Sequence, residues 1–178
     1  TGVSLAQVCA VKGYPLHIVT SDAFAREKLT HMRLLGAEMT IVPSESGRMT
    51  EKLTRDMIEA ARVIAAGTGA YWTDQMRNTD QLAAYDRLAA EIWDQTGGRL
   101  DGFVQSVGTA ASLRGTAGGL RRRNARIRVV AVEPAESPVL SGGKTGPHKI
   151  QGIGAGFVVP LWRPDIADRI AQVSTQDA

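Results

Sequence analysis

Short, β-rich apolar runs alternate with segments of helical periodicity, and this alternation constrains the fold more than any other feature of the sequence. The runs typical of strands are Leu16–Thr20, Glu38–Val42, a short one near Tyr71, Asp101–Gln105 and Arg128–Val132. Strands that alternate with helices form parallel βαβ units, in which each strand is buried on both faces. The sequence therefore predicts an α/β fold of parallel twisted sheets with flanking helices.

The helical segments carry stripes of apolar residues at a spacing of three or four. The first stripe runs from Ala25 to Leu35, with Ser21 or Asp22 as candidate N-caps and Gly36 placed to end the helix. Further stripes lie within residues 53–64, 82–92 and 113–120. Each stripe predicts a helix face packed on a sheet.

Composition excludes several classes of protein. The single Cys9 cannot form a disulfide within the chain, and the three His residues lack zinc-type spacing, so we expect neither a disulfide scaffold nor a metal site. No apolar run approaches the roughly 20 residues that cross a bilayer. We therefore expect a cytoplasmic protein without a membrane partner. The first residue is Thr, which indicates a processed chain or an excerpt of a longer one.

A basic cluster, Arg121–Arg123 followed by Arg126 and Arg128, stands out against a formal net charge of only +3. The cluster lies at the predicted C-terminal end of a helix, where the helix dipole favours cations. No aromatic residues are interleaved with it, so we interpret it as a solvated helix end and expect no nucleic-acid partner.

The run Asp101–Ser112 is the sharpest local feature: a strand, a Gly108-Thr109 turn and the start of a helix. Such a turn lets backbone N–H groups approach a phosphate at a helix N-terminus, with the Thr109 and Ser112 hydroxyls as further donors. The same residues also fit an ordinary turn that is capped by Thr109 or Ser112. Both interpretations stay open here, because the run is neither a Walker loop nor a complete dinucleotide fingerprint.

The Gly- and Pro-rich stretch from Ser137 to Pro164 is long for an irregular segment, which is typical of functional loops. The overlapping run Glu133–Phe157 closely resembles the matching stretch of the cysteine synthases, the O-acetylserine sulfhydrylases of pyridoxal-phosphate fold type II. Smaller matches, at 10–14, 34–38, 75 and 91–93, extend the resemblance over the whole chain. The resemblance implies two α/β domains, with residues 1–78 the latter part of a small mobile domain and 79–178 the first part of a large cofactor-binding domain. The polar stretch 73–81 is the candidate hinge.

The resemblance also implies a cofactor site. Gly108, Thr109 and Ser112 match the family's Gly-Thr-Gly-Gly-Thr loop, which binds the phosphate of pyridoxal 5′-phosphate. Ala110 and Ala111 replace the two glycines of that loop. Their Cβ atoms must fit where the family keeps none, and we expect binding through N–H groups only if both residues have negative φ.

Substrate-binding residues follow from the same resemblance. Thr1 and Gln75 match residues that bind the substrate α-carboxylate, and Gly152 matches a glycine in a loop beside the substrate. Met76 replaces a Phe, and residues 77–80 differ from the family's loop, which leaves the substrate preference open.

No catalytic residue is expected within this chain. The family's Schiff-base lysine lies upstream of Thr1, and none of Lys12, Lys28, Lys52, Lys144 and Lys149 aligns with it. For the intact protein the resemblance implies β-replacement of O-acetylserine by sulfide, a homodimer, and binding of the C-terminal tail of serine acetyltransferase. The alternatives are a cystathionine β-synthase or another sulfhydrylase of activated serine, a non-catalytic homologue, and a nucleotide-binding α/β module.

Overall fold

A computed structural model describes all residues, 1–178, and the chain divides into two units. The first unit is Thr1–Trp72 and the second is Thr73–Ala178. The sequence placed a boundary after residue 78. That the two parts are a mobile small domain and a large cofactor-binding domain stays a prediction.

The first unit is built around a two-stranded parallel sheet. Its elements are α1 (Gly2–Lys12), β1 (His17–Ser21), α2 (Arg26–Leu34), β2 (Glu38–Val42) and α3 (Glu51–Thr68). The strands pair in register from His17 opposite Glu38 to Ser21 opposite Val42. The core of this unit is small, with Ala6, Leu29 and Met32 among its buried residues.

The second unit contains a three-stranded parallel sheet in the order β3-β4-β5. Its elements are α4 (Gln81–Gln95), β3 (Gly102–Ser106), α5 (Ala111–Arg123), β4 (Arg128–Pro134), a 3-10 turn (Pro164–Ile166) and β5 (Arg169–Val173). The predicted fold class is thus confirmed, and no regular element interrupts residues 135–163.

Helix α5 anchors the core of the second unit. Leu113 and Ala117 on α5 pack with Val129 and Ala131 of β4, which are fully buried. Helix α4 lies close against α5, because a Cβ at Gly119 would approach Ala89 Cβ to 2.5 Å. This packing fixes the start of α5 next to the ends of β3 and β4.

Several sequence-based expectations need correction. No strand forms near Tyr71, which is 79% exposed and lies outside any sheet. Strand β5 was missed, since the short run Arg169–Val173 carries polar residues at 169 and 172 and is a weak strand pattern.

The expected start of α2 is also wrong. Ser21 and Asp22 do not cap it; the helix begins at Arg26 with Ala25 as its N-cap. Asp22 instead accepts a hydrogen bond from Ser44 N–H at 2.7 Å, which ties the ends of β1 and β2 together. The predicted stop is confirmed, because Gly36 follows the helix end with φ +86°.

No helix in the structure combines the length and the apolar character that a bilayer crossing requires.

Candidate functional site

The connection from β3 to α5 presents a helix start that lacks a side-chain cap. Val107 N–H donates to Val132 O at 2.9 Å and extends the sheet by one residue. The helical hydrogen bonds then begin with Arg114 N–H donating to Ala110 O at 2.9 Å, so the N–H groups of the first turn have no partners within the helix. Ala110 is the N-cap residue, and the first turn contains no acidic residue.

The capping interpretation receives little support from this geometry. Thr109 Oγ1 accepts only a long hydrogen bond, 3.4 Å, from Ala111 N–H, and Ser112 lies inside the helix. By contrast, Thr50 caps α3 by accepting a hydrogen bond from Leu53 N–H at 3.1 Å. The start of α5 therefore keeps donors and positive helix-end potential available for an anion.

Ala110 does not meet the condition that the sequence set for binding through N–H groups. That condition was negative φ at both alanines, and Ala110 has φ +68°, in the left-handed region. A left-handed residue next to right-handed ones turns successive N–H groups to one side and forms an anion-binding concavity, so positive φ at this position is compatible with an anion site. Ala110 and Ala111 are 2% and 0% exposed and pack in the core with Val107 and Leu113. Both Cβ atoms thus lie in the core.

The structure brings Gly152 next to this loop. A Cβ built on Gly108 would lie 2.7 Å from Gly152 O, so only glycine allows the approach. Gly154 N–H donates to Val107 O at 3.1 Å, which fixes the same segment from its other side. The phosphate-loop candidate and the glycine-rich stretch therefore form one backbone-lined site.

Comparison with known families decides the class of protein. The family model described as "Pyridoxal-phosphate dependent enzyme" matches residues 1–178. The chain belongs to this family. It is 32% identical to a cysteine synthase of Staphylococcus aureus over 180 residues, which are 100% of this chain and 56% of that relative. The chain thus spans little more than half the length of the curated relatives it matches.

Solved structures give the same class. A cysteine synthase from Entamoeba histolytica is similar with a TM-score of 0.86 and 36% identity, over 99% of this chain and 51% of that one. An O-acetylserine dependent cystathionine β-synthase from Helicobacter pylori is similar with a TM-score of 0.84 and 34% identity, over 99% and 56%. These findings confirm the resemblance to cysteine synthases and the fold class.

The residues at the start of α5 fit the phosphate of the family's cofactor. The first turn is uncapped and free of carboxylates, and the left-handed Ala110 curves its backbone. Thr109 and Ser112 add two hydroxyls, which suit an anion with several acceptor oxygens. No group of three or more His, Cys, Asp or Glu side chains is arranged to hold a metal ion.

The candidate substrate residues lie outside this loop. Gln75 is exposed in the second unit, and its carbonyl accepts a hydrogen bond from Gln81 Nε2 at 2.9 Å. No hydrogen bond joins its side chain to the loop. Thr1 is exposed in the first unit, where its carbonyl accepts from Leu5 N–H at 3.0 Å. Their roles toward a substrate stay predictions.

Sequence reasoning missed two buried side chains that hold the glycine-rich stretch in place. Glu133, 1% exposed, accepts hydrogen bonds from Leu140 N–H at 2.7 Å and from Ser141 N–H at 3.0 Å, and also from the Ser141 hydroxyl. His148, 3% exposed, pairs through Nε2 with Gly154 O at 2.9 Å. A Glu at the end of an apolar strand pattern was the available signal, because a buried carboxylate there must find donors.

Two arginines of the basic cluster are paired with acidic groups. Arg121 donates to Asp168 at 2.8 Å and Arg122 to Asp86 at 2.5 Å. Arg123 donates to the carbonyl of Gly119 at 2.8 Å. Arg121 and Arg122 thus hold α5 to neighbouring segments of the second unit, whereas the Arg123 hydrogen bond lies within the helix.

Proposed function

We propose that this chain is part of a pyridoxal-phosphate enzyme that makes cysteine from O-acetylserine and sulfide by β-replacement. The observation that carries the proposal is the uncapped, left-handed start of α5, in a chain that is 32% identical to a cysteine synthase. In this proposal, residues 108–112 bind the cofactor's phosphate. When bound, pyridoxal phosphate supplies an electron sink for the loss and replacement of the substrate's β-substituent.

The chain's own contribution is to place the cofactor and to exclude water. The N–H groups between Gly108 and Ser112 bind the phosphate through charge-assisted hydrogen bonds, which orient the ring by its most highly charged end. Thr1 and Gln75 bind the substrate carboxylate. The segment at Gly152 borders the reacting groups and limits the access of water.

None of the lysines of this chain matches the Schiff-base lysine that the resemblance implies, so we propose that this chain by itself is inactive. The resemblance also supports finer proposals for the whole protein: a cytoplasmic homodimer that binds the serine acetyltransferase tail. Sedimentation and co-purification of the full-length protein test these two associations, and fractionation tests the location.

A second candidate is an O-acetylserine dependent cystathionine β-synthase, and it is supported by the similarity to the Helicobacter pylori structure. The proposed phosphate and carboxylate sites would serve either reaction. The two candidates differ in the nucleophile, so we would supply the full-length protein with O-acetylserine and either sulfide or homocysteine. Faster turnover with homocysteine than with sulfide would replace the first proposal by the second. A nucleotide-binding module or a non-catalytic homologue would give no turnover with either nucleophile.

The role of the loop is tested by Thr109→Val in the full-length protein. Loss of one hydrogen bond to a charged group costs about 1.5–3 kcal/mol, so we expect cofactor affinity to fall at least tenfold. The measurement is cofactor content from the absorbance near 400 nm during dialysis, with Thr68→Val as the matched control because Thr68 lies exposed at the end of α3. Equal cofactor retention in the two variants would remove Thr109 from the site.

A further inference from the structure

Gln105 is an amide side chain on β3 that reaches the candidate phosphate loop. Its Nε2 donates to Ser112 Oγ at 2.6 Å, while its Oε1 is buried and has no hydrogen-bond partner. Gln105 and Phe103 are less exposed than Val104 and Ser106, the residues that alternate with them along the strand. Phe103 packs against the core. An amide at such a position loses hydration at Oε1 without compensation, which favours a role beyond packing.

The direction of this hydrogen bond determines what the Ser112 hydroxyl can do. A serine hydroxyl has one proton to donate and two lone pairs that accept. Because Gln105 supplies the proton of their shared bond, Ser112 keeps its own proton for another acceptor. If the amide were turned round, the hydroxyl would donate to Oε1 and be lost as a donor.

The surroundings of Ser112 determine which acceptor that is. Ser112 stands in the first turn of α5, where the backbone presents N–H donors without intrahelical partners and no acidic side chain competes. An anion at these donors would accept the hydroxyl proton as well. We propose that Gln105 is a positioning residue that directs the Ser112 hydroxyl proton toward the phosphate of the cofactor.

This inference rests on the proposed function, since it requires a phosphate at residues 108–112. It goes beyond that proposal by assigning a role to a residue outside the loop. Gln105 acts through Ser112, and therefore its effect on a ligand vanishes when the hydroxyl is absent.

The test is a double-mutant cycle on the full-length protein, freed of its cofactor, with pyridoxine 5′-phosphate as the probe. This compound lacks the aldehyde and cannot attach to surface lysines, and pyridoxine serves as the control without phosphate. We expect Ser112→Ala to weaken binding of the phosphorylated probe at least tenfold, the effect of one hydrogen bond to a charged group, and Gln105→Leu to weaken it by about three- to tenfold. In the Ser112→Ala background, Gln105→Leu is expected to have no further effect.

The possible outcomes separate the two proposals. Two results would show that the loop binds phosphate but that Gln105 is not a positioning residue. In the first, Ser112→Ala weakens binding and Gln105→Leu does not. In the second, the losses of affinity from the two substitutions multiply in the double variant. If the phosphorylated probe binds no more tightly than pyridoxine to the unmodified chain, the phosphate site itself fails, and the role of Gln105 fails with it.

If the Gln105→Leu variant does not fold, the inference is tested by NMR on the native Gln105 side chain. The ¹⁵N–¹H signals of the Gln105 amide are expected to shift when pyridoxine 5′-phosphate is added and to stay unchanged with pyridoxine. In Ser112→Ala the phosphate-dependent shift should disappear. If the Gln105 amide signals of the unmodified chain do not shift when pyridoxine 5′-phosphate is added, the inference is overturned.

Discussion

At the scale of single residues, the left-handed Ala110 is the most unusual feature of the candidate site. An alanine in this region costs about 1–2 kcal/mol relative to right-handed backbone. Burial of its methyl group in the core offsets about 0.8 kcal/mol of this cost. The curvature of the anion site is therefore maintained by the packing around Ala110 against its own backbone preference.

Substitution of Ala110 tests this balance. Ala110→Gly relieves the strain but removes a buried methyl and makes the unfolded chain more flexible, so we expect its free energy of unfolding to change by less than about 1 kcal/mol. Ala110→Val adds a β-branched side chain at positive φ and overfills a buried position, and we expect a loss of about 2–4 kcal/mol. Urea unfolding measures both. Equal stability of the two variants would show that Ala110 leaves the left-handed region in solution.

The candidate site could be predicted in part from single residues. The run at 108–112 is continuous in sequence, and its small and hydroxyl residues indicate an anion site without any tertiary information. The sign of φ at Ala110, which the sequence entered only as a condition for binding, depends on how α5 docks on the sheet. Gln105 was missed because its contact with Ser112 exists only after a strand and the following helix have packed.

At the scale of elements, the contact between α4 and α5 depends on two glycines that lie on one side of α5. A Cβ at Gly115 would approach Tyr85 Cβ to 2.6 Å, and one at Gly119 would approach Asp86 Oδ1 as well as Ala89. Gly118, the immediate neighbour, would place a Cβ 3.6 Å from the flexible end of Arg122 and near nothing else. These neighbours on one helix therefore form a matched pair for mutation.

We expect opposite signs for the two alanine variants. Gly118→Ala should stabilise the protein by about 0.5–1 kcal/mol, because alanine favours the helix over glycine. Gly119→Ala should destabilise it by about 1–3 kcal/mol, because the added methyl forces the helices apart. Thermal unfolding of both variants measures the difference. A stabilising Gly119→Ala would show that α4 and α5 are less closely packed than described.

Elements were predicted well where a local pattern suffices. Strand β2 was placed at the observed residues 38–42, and the stripe at 113–120 lies within α5. The start of α2 was misplaced because Ser21 and Asp22 are capping residue types that form other hydrogen bonds here. Asp22 binds Ser44, 22 residues away, and no pattern within a short window contains that partner.

At the scale of the whole molecule, Asp168 joins three segments of the second unit. Its Oδ2 accepts hydrogen bonds from Val129 N–H at 2.7 Å and from Arg121 at 2.8 Å. The Val129 N–H, together with the Arg121 charge, lowers the pKa of Asp168 below its usual value. The carboxylate thus links β4, α5 and the residue before β5.

This lowered pKa predicts how stability depends on pH. Since the folded state favours the ionised form, the contribution of Asp168 is present above its unfolded pKa, about 4, and is lost as the pH falls through the lower folded value. We expect Asp168→Asn to lower the unfolding midpoint at pH 7 and to lessen its decline in acid. Asp101→Asn is the control, because the exposed Asp101 side chain makes no hydrogen bond. The same acid dependence in Asp168→Asn and the unmodified chain would contradict the assignment.

The contact between Val107 and Gly154 is made by main-chain atoms alone, and this has a consequence for sequence divergence. A hydrogen bond from an N–H to a carbonyl places no demand on the side chains of either residue. Substitutions along both segments can therefore accumulate without separating them, provided that positions 108 and 154 stay free of a Cβ and position 152 keeps its positive φ. A designer who replaces the other side chains of either segment would thus inherit the spacing of the site, and these three glycines would be the positions to leave untouched.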